Sequence, residues 1–264
     1  MSEVSAAVSA RPVPRRLGRH AWAQMVLTEA RLTWRDTAGL VVPFGLPVLI
    51  MLMNGLGSDR EGVPQFGGLP ALDAYVVPMV LVLVVAMLGI VNMPSFLAAY
   101  RTYGVLRRLA VTPARPWMVL AAQVVVSLAQ ALVGIVFALV VARLMFGVVP
   151  PRNPAGALGA LALTAAAMYA IGLLISALAP SVNAAVAIGL TSFFAVMALG
   201  GGFGPRQNLP GWLAEIGGHL PFGAALDALS ASWSGGTPSA GQVVALAGVT
   251  VVAGAAASRF FRWQ

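Results

Sequence analysis

AYVVPMVLVLVVAMLGIVNMPSFLAAY, residues 74–100, runs from end to end without a charged side chain. A helix rises about 1.5 Å per residue, so a run of this length more than spans the ~30 Å hydrocarbon core of a bilayer. The whole chain shares that character: of its 264 residues 59% are hydrophobic and only 9% charged, far from soluble composition. Upstream lies a polar stretch, residues 57–73, with Asp59, Arg60 and Glu61, read as an outside loop. Before it comes an apolar run over residues 38–56, whose Pro43 and Pro47 free backbone carbonyls that neighbouring helices or waters must satisfy, so that this span is bent.

Downstream, a basic segment over residues 101–116 leads into a third apolar run, 117–146, and a Pro/Gly-rich turn at 147–154. A fourth run, 156–179, is rich in Ala and Gly, which lets helices approach closely in lipid. The short break at residues 180–183 allows only a tight turn before the fifth run, 184–203, so these two helices are expected to form a hairpin. Residues 204–240 hold apolar pieces too short to cross, which fits interfacial or re-entrant helices, and a last run spans 242–258. The reading is an all-α membrane protein with six transmembrane helices in one domain over residues 37–264.

Residues 1–17, rich in Ser, Ala, Pro and Arg, show no apolar period and read as a disordered N-terminal tail. Residues 18–36 read as an amphipathic helix on the membrane surface, with Ala23, Val26, Leu27, Ala30 and Trp34 on one face and Gln24, Thr28, Arg31 and Arg35 on the other. All sixteen basic residues are arginine. With six spans, twelve of them fall on the side of both termini and four on the other, which places the termini in the cytoplasm. The net charge of +8 is accounted for by these flanking segments, and a nucleic-acid partner is not expected.

Without lysine the chain cannot build a Walker-type phosphate loop, so it cannot hydrolyse ATP by that route. Asp36, Asp73, Glu215 and Asp227 sit at span edges or in loops, leaving no acid inside a span for a proton path. Sodium binding at carbonyls loosened by Pro43, Pro47, Pro78 and Pro94 remains an alternative. His20 and His219 are far apart in sequence and there is no cysteine, so no metal, cofactor-binding or catalytic set is expected. A transport subunit fits better than an enzyme.

Polar residues within spans are the candidates for a pathway. Gln123, Ser127 and Gln130 form one stripe on the third span, open to two readings: hydrogen bonds between helices, or a substrate path. Asn54 and Asn92 lie in or near proline-bearing spans, and Phe193, Phe194 and Met197 offer either an apolar lining or ordinary packing.

Residues 100–113 read Tyr-Arg-x-x-Gly-Val-Leu-Arg-Arg-Leu-x-x-Thr-Pro. Taken alone the segment is a basic surface helix, with Tyr100, Gly104, Arg107 and Arg108 along one side and Pro113 ending it. It also resembles the first cytoplasmic loop of ABC-2 type permeases, most closely the actinobacterial daunorubicin-resistance-like branch. Trp34 to Thr37 before the first span, residues 172–183, His219 to Phe222 and Ala225 to Leu229 agree in order with that family. The resemblance implies a multi-pass protein of a bacterial inner membrane in which two permease copies, as a homodimer, pair with two cytoplasmic ATPase subunits that bind ATP and Mg. It assigns Arg31, Arg35, Arg101, Gly104, Arg107, Arg108 and Pro113 to contact with the ATPase. It places the first, second and fifth spans around a pathway for a hydrophobic small molecule, a drug or antibiotic. Export of a lipid or glycan precursor, and ion-coupled transport, are the alternatives. Thr102 stands where the family often has Glu, so no role of that carboxylate carries over.

Overall fold

The computed structural model describes residues 19–58, 60–104 and 116–260. The tail 1–17 and the loop residues Arg107, Arg108 and Pro113 lie outside them. Among the described residues all regular elements are helical, apart from one isolated bridge between Val63 and Leu69. Helix α1 covers Arg19–Arg35, α2 Thr37–Leu56, α3 Leu72–Thr102, α4 Pro116–Phe146, α5 Pro154–Leu178, α6 Val182–Leu199, α7 Gly211–His219, α8 Pro221–Trp233 and α9 Ala240–Phe260. Six of these, α2 to α6 and α9, are long and apolar enough to cross a membrane.

The polar residues of the sequence breaks start these helices. Asp36 accepts from Gly39 N at 3.1 Å, Asn153 from Gly156 N at 2.9 Å and Ser181 from Ala184 N at 3.2 Å. Before α9, Ser239 Oγ accepts from Gln242 N at 3.3 Å, while Gln242 Oε1 accepts from Ser239 N at 2.8 Å. That reciprocal pair is a capping box, and each cap relieves amide donors with no partner inside the helix.

Helix α3 is the axis of the bundle. Its most apolar window is 89% buried, whereas those of the other five spans range from 17% to 44%. It is not a regular α-helix throughout: residues Leu72–Val76 and Met87–Asn92 widen into π turns. Pro94 accounts for much of the second. Lacking an N–H, it leaves Ile90 O without its α-helical donor and Gly89 O without its π-helical one. Both carbonyls are met by glycine: a Cβ on Gly172 of α5 would collide with Gly89 O, and one on Gly189 of α6 would sit 2.7 Å from Ile90 O. Gly89 in turn faces the backbone of Met168, 2.9 Å from where its Cβ would be. Three helices therefore touch backbone to backbone at the middle of α3.

Around this axis α9 packs along α5, α8 packs on α5 and α3, and α2 and α4 flank α3 on another side. The turn between α5 and α6 is tight, and α6 packs chiefly on α3, with smaller contacts to both α5 and α8. The physical reason is the glycine contact, which draws α5 and α6 onto α3 separately. Within 204–240, α8 is too short to cross at about 1.5 Å per residue. Yet it is sunk in the bundle, with Phe222, Ala224, Ala225 and Leu229 fully buried and Trp233 at 2% exposure.

The end of the bundle away from the termini is tied by polar contacts. Asp73, 1% exposed rather than in a wet loop, accepts from Val149 N at 2.9 Å and pairs with Arg60 at 3.5 Å. Trp233 Nε1 donates to Val149 O at 3.1 Å and Arg152 Nη1 to Gly67 O at 3.0 Å. These bonds bind the 60–71 loop, the 147–153 turn and the end of α8 into one cap.

Candidate transport pathway and coupling surface

Pro43 cannot donate to Gly39 O, four residues back in α2. Two side chains from other helices take that place: Gln130 Nε2 of α4 donates to it at 2.7 Å and Asn92 Nδ2 of α3 at 3.1 Å. One proline-freed carbonyl thus joins α2, α3 and α4. Beside it a cavity of about 320 Å³ opens between α2, α3 and α6, lined by Asp36, Pro43, Met87, Asn92, Ser95 and Leu190 among others. It lies at the end of the bundle that holds α1, since α2 and α6 begin there and α3 ends there.

The structure brings some of the sequence candidates together and separates others. Asn92 lines the cavity while holding Gly39. Gln123, Ser127 and Gln130 are all buried in α4; Ser127 Oγ and Tyr169 Oη of α5 are 2.8 Å apart, and Gln123 Oε1 has no partner. The stripe is therefore engaged, in two of its three members, in bonds between helices. Phe193 and Met197 turn into the core, at 0% and 3% exposure, while Phe194 is 46% exposed on the face it shares with Val186 and Leu190. Asn54 stands apart, exposed near the far end of α2 and donating to Ile50 O at 2.8 Å.

At the α1 end, the helix turns part of its polar side to the bundle and leaves apolar side chains outward, where a membrane-surface helix meets lipid. Glu29 and Thr33 are buried at 6% and 5%, while Leu27 and Trp34 are exposed at 49% and 79%. The cause is Tyr100 of α3, whose hydroxyl donates to Glu29 Oε2 and fixes the rotation of α1. Arg31 and Arg35 stay exposed, lining a shallow depression with Leu27 and Trp34. Arg101 is spent differently: its guanidinium donates to Ser176 O at 3.4 Å and to Ala179 O, capping the C-terminus of α5, where a cation is favoured. Gly104 is not inside a helix but turns the chain out of α3 at φ 67°, a conformation glycine adopts without strain. Thr102 bonds back to Ala98 O at 2.9 Å.

Glu29 escaped the sequence reading because it falls on a helix whose pattern marks position 29 as neither apolar nor basic. Burial pushes its carboxyl above the usual carboxylate range, and the Tyr100 hydroxyl pulls it partly back. A raised pKa means that the docked helix binds more protons than the undocked one, so docking weakens as pH climbs from the ordinary carboxylate value through the raised one. The protection factors of α1 amides, which divide out the intrinsic pH dependence of exchange, are expected to fall over that interval. Glu29→Gln, which keeps an acceptor for Tyr100, is expected to remove the dependence; an unchanged pH profile in that variant would assign it elsewhere.

A second cavity, about 360 Å³, lies at the opposite end of the α3–α6 pair, between the start of α3, the end of α6 and α8. There Tyr75 Oη donates to Gly201 O at 2.6 Å, and Arg206 pairs with Asp227 of α8 at 2.5 Å. The glycine run is built into this corner: Gly201 has φ 96°, and a Cβ on Gly200 would lie 2.7 Å from Gly223 N.

No curated protein matches the chain. A family profile does: the one described as ABC-2 type transporter aligns with residues 20–233, taking in every helix from α1 to α8. A multi-pass helical bundle with a docked surface helix, cavities at both ends of one helix pair and that match over most of its length place the chain in the ABC-2 type transporter family, as a membrane-embedded transport component.

Proposed function

We propose that this chain is the permease subunit of an ATP-driven exporter which moves a hydrophobic small molecule, a drug or antibiotic, out of the cell by alternating access. The observation that carries the reading is the pair of cavities at opposite ends of the α3–α6 seam, separated by the glycine-packed middle of α3. Access at one end and release at the other need only a small change at that seam. ATP and Mg bind a separate cytoplasmic ATPase, two copies of which pair with two copies of this chain. Both termini face the cytoplasm, so the cavity beside Asn92 is the loading side. Val186 and Leu190 contribute its apolar wall, and Phe194 lies one turn further along the same face of α6.

Force from the ATPase enters through Arg31, Arg35 and Trp34 of α1 and through the loop carrying Arg107, Arg108 and Pro113. It reaches the spans by two links: Glu29–Tyr100 into α3, and Arg101 into the end of α5. Gly104 lets the loop leave α3 sharply. Charge reversal of Arg107 and Arg108 to Glu is expected to abolish co-purification with the ATPase in detergent and drug efflux in cells, while the permease itself still purifies as an intact species. Retention of both would refute the coupling assignment.

A further inference from the structure

Helices α4 and α5 are each packed on α3 but not closely on each other, and the gap between them is an open groove of about 480 Å³. Leu128, Leu132, Val136 and Leu139 of α4 form one wall, Leu158 and Ala162 of α5 the other, with Leu81 and Val85 of α3 between them. The walls face outward: Leu132, Val136 and Leu158 are exposed at 62%, 51% and 69%. The one polar group among the lining side chains, the Trp233 N–H, is already given to Val149 O.

Length identifies what fills the groove. From Leu128 to Leu139, and equally from Pro154 to Ala165, it runs about 16 Å at 1.5 Å per residue, half of the ~30 Å hydrocarbon core. It is therefore one leaflet deep. Just past Leu128 and Ala165, the Ser127–Tyr169 hydrogen bond ties the two helices together. A path for cargo would have to continue beyond that bond, whereas an acyl chain ends there.

Charge identifies the headgroup. A second hollow of about 310 Å³ shares Val136 and Leu139 with the groove and adds Val140, Leu144 and Arg143. Arg143 stands one turn beyond Leu139 on the same face of α4, at the outer end of both hollows. Of the four arginines at this end of the bundle, Arg60 and Arg206 pair with Asp73 and Asp227, and Arg152 donates to Gly67 O. Arg143 is exposed and, among the described residues, has no acidic partner. Only its Nη1 is engaged, donating to Gly147 O at 3.2 Å and Val148 O at 3.3 Å. Nε and Nη2 are left as a fork of donors, the geometry that matches a phosphate. Two apolar hollows meeting below one unpaired cation have the shape of a two-chained lipid.

We infer that the α4–α5 groove binds an anionic glycerophospholipid of the leaflet away from the termini, with an acyl chain between the helices and the headgroup phosphate on Arg143. The lipid is a resident of the fold rather than a cargo, since the groove lies apart from the α3–α6 seam and stops at mid-depth. It fills the gap beside α5, which also carries α8 and α9, so occupancy holds that side of the bundle together.

Native mass spectrometry tests this on the full-length chain, delipidated in detergent and titrated with dioleoylphosphatidylglycerol, dioleoylphosphatidylcholine or inorganic phosphate. Phosphatidylglycerol is expected to bind about fivefold more tightly than phosphatidylcholine, the increment of one arginine at a membrane surface. Arg143→Gln is expected to remove that preference and Arg143→Lys to retain most of it. Ala162→Phe, which fills the groove from an exposed position, is expected to weaken both lipids. Arg259→Gln, the same change of charge at an exposed position in the last turn of α9, is expected to alter nothing. Equal binding of the two lipids by the parent overturns the inference, as does a preference that survives Arg143→Gln, an equal loss in Arg259→Gln, or phosphate binding as tightly as lipid. A shift from dimer to monomer in Ala162→Phe with lipid binding unchanged would assign the groove to a second copy of the chain and overturns it as well. None of these outcomes touches the exporter reading, because neither ATPase nor cargo enters the measurement.

Discussion

Gly172→Val is expected to be the most damaging single substitution in the protein. Its Cβ would meet the Gly89 carbonyl oxygen, a backbone atom in the middle of α3, rather than the end of a flexible side chain. Relief requires α5 to move off α3, and α5 also carries α8 and α9. The expected loss is about 3 kcal/mol or more, seen as a drop in the thermal midpoint of aggregation in detergent on the order of 10 °C. Gly159→Ala is the control within the same helix. Nothing lies within 4 Å of that site, so it is expected to be neutral or slightly stabilising, by up to about 1 kcal/mol. Equal behaviour of the two variants would show that the π segment is not clamped by backbone contact.

The second large effect concerns the Gly39 carbonyl. Gln130→Leu removes the 2.7 Å donor and leaves Asn92 at 3.1 Å as the remaining partner. The expected cost is about 1–2 kcal/mol, at the upper range for hydrogen bonds between membrane helices. Because Pro43 creates the need, a rescue is expected. In a Pro43→Ala background the new N–H can donate to Gly39 O, so Gln130→Leu should cost markedly less there than in the parent. A double-mutant cycle on thermal midpoints measures the coupling. Strict additivity would mean that Gln130 stabilises the bundle by something other than satisfying this carbonyl.

The sequence made the six spans legible because length and hydrophobicity alone decide whether a helix can cross a bilayer. It also made the starts of helices legible, since Asp36, Asn153 and Ser181 stand where the apolar runs begin. The need of Gly39 O follows from Pro43, although its partners do not. What stayed hidden was the rotation of helices and the order of burial. Lipid is as apolar as leucine, so an evenly apolar run such as α3 carries no stripe to show which face meets protein, and its place at the axis emerged only from packing. The π turn of Met87–Asn92 depends on glycines of α5 and α6, which lie some eighty and a hundred residues further along the chain. The amphipathic pattern of α1 marked a surface helix but not which polar residues would face the bundle, and it is Glu29, bonded by Tyr100, that turns in. Helix α8, too short to cross, read as either interfacial or re-entrant, and only packing showed that its small residues let it sink beside α5.

The coupling end shows the same division. The basic segment after α3 drew attention to Arg101, and the structure gives that residue a definite structural task, holding the end of α5. The exposed Trp34, Arg31 and Arg35 form the side of α1 left open after Glu29 and Thr33 are buried.

On the proposed reading, the chain provides a route across the bilayer but no means of driving it. Reconstitution decides this directly: purified permease in liposomes, loaded with a fluorescent amphiphilic drug, is examined with and without the ATPase and with imposed proton or sodium gradients. Accumulation against the drug gradient is predicted only when ATPase, ATP and Mg are all present. Sustained uphill transport by this chain alone, under any gradient, would contradict the account.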